Sequence, residues 1–267
     1  MAESSSFTRG ARALTAVSFN TVREAMRSKV FGSLLFFAII MILSSMVLGE
    51  MSLHNEKRVA YDVTLFASTL FAVIISVYSS ITLFYTELER RTIYTILSKP
   101  IPRWQFLVGK YLGVQMLMFV VVVFMLLLSI GVLKWQGLII DQNLFFAFGT
   151  LYLQLTITTA LAHTLATVAA PLLAGFATMA LFVGGNLFSQ LAVIKKLMME
   201  KENPAAPLIT IIEYVLPNLE ALNLSRELTY QLHVPADYLL QALAYSTTYA
   251  AIVMMLGVVV FARKGLS

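Results

Sequence analysis

His163 is the one residue that could carry proton or metal chemistry well inside a hydrophobic segment. It lies within residues 142–194, which contain no Asp, Glu, Lys or Arg. An ionisable group in such a segment is a functional candidate by default. With no acidic partner in its own span, a single imidazole forms neither a proton relay nor a metal site unaided. A histidine that hydrogen-bonds a neighbouring helix, or lies near the inner end of its span, is the simpler interpretation.

Other residue patterns that carry chemistry are missing from the sequence. It contains no Gly-x-Ser-x-Gly for a serine nucleophile, no His-Glu-x-x-His for zinc and no Gly-x-x-x-x-Gly-Lys-Ser/Thr for a nucleotide. Without cysteine, thiolate ligands and disulfides are excluded. The adjacent methionines Met198–Met199 and Met254–Met255 have no histidine at ligand spacing for copper. We therefore predict no catalytic, cofactor-binding or metal-binding residue in this chain.

A charged segment from Thr86 to Lys110 is where the chain could instead bind a partner protein. It lies between residues 63–86 and 111–133, which carry no charge. Its apolar side chains could fit a partner's pockets while its charges set the register. We call residues 87–104 the charged loop. The cations of the segment are Arg90, Arg91, Lys99, Arg103 and Lys110.

Membrane-spanning helices must position this loop, because the composition is that of an integral membrane protein. Hydrophobic residues make up 59% of the 267 residues and charged residues only 12%, with a mean hydropathy of +0.82, whereas soluble domains carry about a quarter charged residues. At about 1.5 Å per helical residue, each charge-free window can cross a ~30 Å hydrocarbon core. Pro171 divides the longest window into two spans. The predicted spans are residues 30–49, 63–86, 105–133, 143–169, 172–194 and 238–262.

The distribution of charge predicts that both chain ends are cytoplasmic. Most of the 19 Lys and Arg residues fall near the N-terminus, in the charged segment and after the last span, as the positive-inside rule requires of cytoplasmic flanks. Most of the 14 acids fall on the other face. The predicted fold class is an all-α integral membrane protein with six transmembrane helices, N-in and C-in.

Residues 1–29 are predicted to form a cytoplasmic tail with an amphipathic interfacial helix. At 100° per residue, its arginines lie on one side and apolar residues such as Leu14, Val17 and Val22 on the other. Glu24 falls on the polar side and Met26 on the apolar side. A basic amphipathic helix suits the headgroup level of an anionic leaflet; the alternative is a basic flank that only fixes topology. The interfacial arginines are Arg9, Arg12, Arg23 and Arg27.

Residues 195–237 form the predicted outer insertion between the fifth and sixth spans. Prolines interrupt it, and residues 208–216 and 219–232 have helical composition but are too short and polar to span. We expect helices on the outer face or partly within the leaflet. Elsewhere, Gly109 and Gly113 form a small-x-x-x-small pair that can let two helices approach closely.

The charged loop resembles that of ABC-2 type transporter permeases (type V exporter fold). In that family a Glu-Arg pair ends the second helix, a short coupling helix follows, and Ser-Lys-Pro precedes a Gly-Lys-x-Leu-Gly start to the third. Here the segment reads ELERRTIYTILSKPIPRWQFLVGKYLG, residues 87–113. The closest subgroup is the permeases linked to nitrous oxide reductase maturation and gliding motility, which also share the Pro-Asn-Leu segment within residues 216–224.

The resemblance implies that residues 30–267 form a six-helix permease domain of a bacterial inner-membrane, multi-pass protein. Such a permease pairs with a second permease subunit, here favouring a homodimer, contacts membrane lipids, binds no nucleic acid, and docks an ABC ATP-binding subunit that holds the ATP and Mg. Nucleotide-driven closure of the ATPases would move the charged loop and export a substrate. The implied docking residues are Glu87, Glu89, Arg90, Arg91, Thr92, Ile93, Ile96, Leu97, Ser98, Lys99 and Pro100.

Three other functions are open from the sequence alone. A membrane anchor could couple an ATPase to a partner complex, by force transmission, without moving a solute. A membrane-embedded enzyme would need clustered acids or a nucleophile–base pair at membrane depth, which the spans lack. A channel would need a polar stripe along a span, and none is evident. An ATP-binding protein encoded next to this chain would favour the transporter.

Overall fold

The helix Gln142–Val168 is the centre of the fold, because four other long helices pack against it. The computed structural model describes residues 2–51, 56–89, 102–200, 206–230 and 232–263. Within this part, the all-helical prediction is confirmed. The helices are α1 (Ala2–Met26), α2 (Lys29–Met51), α3 (Glu56–Glu89), α4 (Arg103–Trp135), α5 (Gln142–Val168), α6 (Pro171–Asn186), α7 (Phe188–Glu200), α8 (Ala206–Val215), the 3-10 turn Glu220–Leu222, α9 (Ser225–Thr229) and α10 (Ala236–Arg263).

Five of the described helices, α2, α3, α4, α5 and α10, are long and apolar enough to cross a membrane. Each covers one predicted span, except that α5 ends one residue short of residue 169, and α3 begins at Glu56 rather than at residue 63. Residues 56–62, which precede the predicted second span, are therefore also helical. Arg58 and Asp62 are one helical turn apart, with Arg58 Nε 3.8 Å from Asp62 Oδ2, so opposite charges extend the helix beyond the apolar window.

The predicted fifth span is not one straight helix. The chain bends by 73° between α6 and α7, at Leu187. Helix α6 starts cleanly because Pro171 occupies its first turn, but its 16 residues extend only about 24 Å at 1.5 Å per residue. That is less than the ~30 Å hydrocarbon core, so α6 alone does not cross it. Helices α6 and α7 together form a bent passage, which is either a broken span or a re-entrant loop.

The loop after α8 inserts between α5 and α6. The Leu219 carbonyl accepts a 2.7 Å hydrogen bond from Gln154 Nε2, near the middle of α5. Leu219 N–H donates to the Gly185 carbonyl at 3.0 Å, and a side chain at Gly185 would lie 2.6 Å from the Pro217 carbonyl. Non-helical backbone is tolerated at such depth when protein surrounds it, and Leu219 is fully buried.

Of the two helices predicted in the outer insertion, the described part of the chain contains only the first. Helix α8 confirms the first predicted helix, whereas the described residues within 219–232 form the 3-10 turn and the short α9 rather than a longer helix. A long-range hydrogen bond satisfies a backbone carbonyl of this segment instead: Asn143 Nδ2 on α5 donates to the Leu232 carbonyl at 2.9 Å. Helix α7 also extends to Glu200, six residues beyond the predicted end of the fifth span at residue 194.

One end of the bundle brings together the segments on both sides of the charged loop. Phe84 of α3, Phe106 of α4 and Phe261 of α10 form a buried aromatic cluster with ring centroids 5.7 to 6.5 Å apart. Helix α1 runs beside the first turns of α4. We call this the loop end of the bundle. The N-terminal helix, the two helical flanks of the charged loop and the end of α10 are therefore neighbours at this end.

Candidate functional site

The candidate site is the loop end, where the predicted docking segment joins the helices. Helix α3 continues through Glu87 and Glu89, and α4 begins at Arg103. The first three and last two residues of the predicted loop, 87–104, are therefore helical. The remaining predicted docking residues lie outside the part that the structure describes, so their role stays a prediction: Arg90, Arg91, Thr92, Ile93, Ile96, Leu97, Ser98, Lys99 and Pro100.

Helix α1 fits against α4 through the two glycines singled out in the sequence. A Cβ atom at Gly109 would lie 3.0 Å from Val17 Cβ, and one at Gly113 would lie 2.6 Å from Thr21 Cβ. The same position is 2.8 Å from the Ser18 carbonyl oxygen, which cannot move without the helix. The small-x-x-x-small pair is therefore the surface that lets these two helices meet.

A side-chain hydrogen bond also joins α1 and α4 along this contact, which we call the seam. Ser18 Oγ lies 3.0 Å from the Gly109 carbonyl and 2.9 Å from the Leu14 carbonyl of its own helix. Ser18 is buried, and so are Thr21 and Ala25 on the same side of α1. This side is the one predicted to be apolar, except that Met26 is exposed. It contacts protein here, and the headgroup location of α1 stays a prediction.

A buried cation faces α1 across the seam. Lys110 is 1% exposed, and its Nζ lies 3.6 Å from Glu24 Oε2, whose side chain is 30% exposed. At 3.6 Å the contact is an ion pair rather than a hydrogen bond. Lys110 Nζ also lies 6.0 Å from the centroid of the Phe106 ring. Desolvating an ammonium is costly unless an opposite charge is close, so Glu24 is tied to α4 by electrostatics.

Sequence reasoning missed this ion pair. It counted Lys110 with the cytoplasmic cations, although the predicted third span, 105–133, contains this residue, and it placed Glu24 on the polar side of α1. The structure buries Lys110 within the apolar window Trp104–Trp135. One signal was available, because Lys110 lies between Gly109 and Gly113, the two residues that mark the close-packing surface.

The interfacial arginines lie away from the seam where they are described. Arg23 and Arg27 are exposed, while only the backbone of Arg9 and Arg12 is described, within α1. A further contact ties α3 to the junction of α5 and α6, because the Tyr85 hydroxyl donates to the Ala169 carbonyl. The loop end is thus connected to the start of the bent passage.

His163 is fully buried on α5, and its hydrogen bond is local. Its Nδ1 lies 3.0 Å from the Thr159 carbonyl, one turn earlier on α5. A carbonyl only accepts, so Nδ1 carries the proton. The Tyr111 ring meets the imidazole edge to face at 6.1 Å, and Nε2 has no hydrogen-bond partner among the described residues. Of the two predicted interpretations, the bond to a neighbouring helix is wrong, because the imidazole bonds its own helix. The location near the inner end of the span stays a prediction.

No group of three or more metal-binding side chains occurs in the described part of the chain. The buried polar side chains are mainly hydroxyls that join helices, such as Ser76 Oγ and Thr159 Oγ1 at 2.8 Å. Such contacts hold α3 against α5 within a low-dielectric core. The arrangement can transmit movement between helices, and it offers no assembled set of reactive groups among these residues.

An apolar groove opens between α3 and α6. Its volume is about 490 Å³, and its walls include Ile74, Tyr78 and Ile81 on one side and Pro171 and Phe176 on the other. Phe176 is 68% exposed. The groove begins beside the junction that Tyr85 contacts, so movement of the end of α3 would change its width.

Comparison with known protein families gives one match. A family model described as ABC-2 family transporter protein matches residues 15–266. The match begins within α1 and continues past the end of α10, and it includes the charged loop. Among curated proteins the sequence has no significant match.

Proposed function

Since the chain belongs to the ABC-2 family of transporter proteins, we propose that it couples ATP hydrolysis by a separate ABC ATP-binding subunit to export of a substrate. Family membership makes it a multi-pass membrane permease component of an ABC transporter. The proposal adds the bacterial inner membrane, cytoplasmic chain ends, and a second permease subunit, preferably an identical copy. It also places the chain near the nitrous oxide reductase maturation and gliding-motility subgroup.

The observation that carries the proposal is that both flanks of the charged loop are held by the same cluster. Phe84 lies one turn before the loop and Phe106 directly after it, and both contact Phe261 of α10. The ion pair between Glu24 and Lys110 adds α1 to this unit. A force applied to the loop would therefore displace the adjoining ends of α1, α3, α4 and α10 together, rather than deform a single connection.

The length of the helices explains how such a movement reaches the far side. With 34 residues, α3 extends about 50 Å at 1.5 Å per residue. Beyond the aromatic cluster it borders the groove shared with α6. In the proposed cycle, closure of the ATPases moves the loop end and α3 changes the groove, with a second permease subunit facing it. Coupling then means that the two ATPase states make different contacts with the loop.

Charge reversal in the loop tests the docking proposal. The chain is co-expressed with the ATP-binding protein encoded beside it, and the complex is purified and reconstituted. We expect Glu89→Arg and Arg91→Glu to reduce co-purification and coupled ATPase activity while leaving membrane insertion unchanged. Arg226→Glu, on the outer insertion, is the matched control and should retain both. Full coupling in both loop variants would refute the docking role.

Topology can be tested independently because the natural chain has no cysteine. A single Lys99→Cys variant should resist a membrane-impermeant maleimide added outside intact cells, whereas Gln136→Cys, after α4, should react. Labelling of Lys99→Cys from outside would contradict the cytoplasmic assignment. If the docked complex hydrolyses ATP in response to a partner complex yet moves no solute, the force-transmitting anchor is the correct function.

A further inference from the structure

A second apolar groove lies between α4 and α10. Its volume is about 710 Å³, and its walls include Trp104, Val108, Leu112, Ala251, Met255 and Val259. Leu112 is 42% exposed and Met255 is 67% exposed. In a membrane-spanning protein, such side chains face hydrocarbon, so the groove opens to the bilayer.

The few polar groups in the groove are already satisfied by protein. The Thr247 hydroxyl donates to the Leu243 carbonyl at 2.7 Å, and the Thr156 hydroxyl donates to the Tyr152 carbonyl at 3.0 Å. The Tyr111 hydroxyl donates to the Thr156 carbonyl at 3.3 Å. A polar ligand would therefore find few free partners there, whereas a hydrocarbon chain loses nothing by binding.

The length of the groove fits one leaflet. Along α10 it runs from Thr247 to Val259, which is about 18 Å at 1.5 Å per residue. Half of a ~30 Å hydrocarbon core is about 15 Å. An acyl chain that starts at the headgroup level would therefore lie along the groove and end near the bilayer centre.

One end of the groove carries groups that suit a lipid headgroup. Arg263 is exposed and lies one turn beyond Val259, so both residues share a face of α10. Trp104 is 47% exposed at the same end, where Phe106 and Phe261 hold the two helices together with centroids 6.4 Å apart. An amphipathic indole and a cation at the membrane surface are the usual partners of lipid headgroups.

We propose that this groove binds one acyl chain of an anionic phospholipid whose phosphate group pairs with Arg263. Which leaflet supplies the lipid rests on the proposed function, whose cytoplasmic C-terminus makes it the inner one. A second copy of the chain fits less well. In a two-fold dimer across this groove, both Arg263 side chains would meet at the same depth, and like charges oppose that contact.

Fluorescence of Trp104 provides a direct test. The chain has two tryptophans, so a Trp135→Phe background leaves Trp104 as the only emitter. The full chain is reconstituted in phosphatidylcholine vesicles that contain a minor fraction of dibrominated phosphatidylglycerol or dibrominated phosphatidylcholine. We expect half of the Trp104 fluorescence to be quenched at a mole fraction of the anionic probe that is about one-fifth of the fraction needed with the zwitterionic probe. One cation at the membrane surface provides a preference of about this size.

Two variants separate specific binding from general contact with lipid. Arg263→Gln should remove the preference for the anionic probe, while Arg226→Gln, on the outer insertion, should keep it. Ala251→Phe should reduce quenching by both probes because it fills the groove, and Ala244→Phe, elsewhere on α10, should not.

Equal quenching by the two probes would overturn the proposal, as would an unchanged preference in Arg263→Gln. Disulfide-linked dimers of an Ala251→Cys variant would also overturn it, because a second copy would then occupy the groove. None of these measurements needs the ATP-binding subunit, so their failure is distinct from failure of the proposed transport function.

Discussion

Gly113 of α4 and Thr21 of α1 are so close that no other residue fits at position 113. A Cβ atom there would lie 2.6 Å from Thr21 Cβ and 2.8 Å from the Ser18 carbonyl oxygen. Because one neighbour is backbone, the clash cannot be relieved by a side-chain rotation. The contact joins the N-terminal helix to the helix that follows the charged loop.

We therefore expect Gly113→Ala to loosen α1 from α4. Overpacking of a tight contact costs about 1–3 kcal/mol, which should lower the unfolding temperature in detergent. It should also accelerate tryptic cleavage after the exposed Arg23 and Arg27. Gly131→Ala is the control on the same helix, since a Cβ there would meet nothing within 4 Å. Equal stability of the two variants would contradict the close contact.

Removing Glu24 should destabilise the protein more than removing Lys110, its partner in the ion pair. Glu24→Gln removes the carboxylate that lies 3.6 Å from the 1% exposed ammonium of Lys110, which should cost about 1–3 kcal/mol. Lys110→Met leaves a partly solvated carboxylate and fills the same space, so we expect it to cost less. The double variant should recover part of the loss from Glu24→Gln, with Arg23→Gln as an exposed control. A double-mutant cycle with no coupling energy would refute the pairing.

Gln154 should control how firmly the inserted loop is held. Gln154→Leu removes the donor to the buried Leu219 carbonyl, and an unsatisfied buried acceptor costs about 1–3 kcal/mol. Amide hydrogens in residues 219–224 should then exchange faster with deuterium. Gln190→Leu, at an exposed position on α7, should leave their exchange unchanged. Equally slow exchange in both variants would mean that the loop is held by other contacts.

Acid should release the start of α7. The backbone N–H and the hydroxyl of Ser189 both donate to the Glu220 carboxylate at 2.7 Å, and these bonds lower the pKa of Glu220 below its ordinary value. Since the folded-state pKa is the lower one, the unfolded state binds more protons at mildly acidic pH. The stabilisation is therefore complete above the ordinary glutamate pKa of about 4.3 and is lost as the pH falls through the folded value.

The measurement is amide exchange at residues 188–192 as a function of pH, corrected for the intrinsic rate. Protection should decline on acidification in the natural chain and should be low and nearly constant in Glu220→Gln. Glu200→Gln, at the other end of α7, should behave like the natural chain. A pH-dependent loss of protection that persists in Glu220→Gln would assign the effect to another group.

The sequence was sufficient for features that depend on local composition. Long apolar windows predict helices in a membrane because backbone groups there must be satisfied within the segment, and α2, α3, α4, α5 and α10 confirm this. Pro171 marked the start of α6 because proline suits the first helical turn. The spacing of Gly109 and Gly113 identified a close-packing surface, although not its partner.

Only the tertiary structure decided the features that depend on contacts between distant residues. The bend at Leu187 goes with a loop from residues 216–219 that packs against the end of α6, and no hydropathy window records that contact. Lys110 is buried because α1 covers it and Glu24 faces it, although its charge alone indicated a solvent-exposed loop. Hydrophobicity determines which segments enter the membrane, but the partner of each buried charge or carbonyl depends on which surfaces the folded chain brings together.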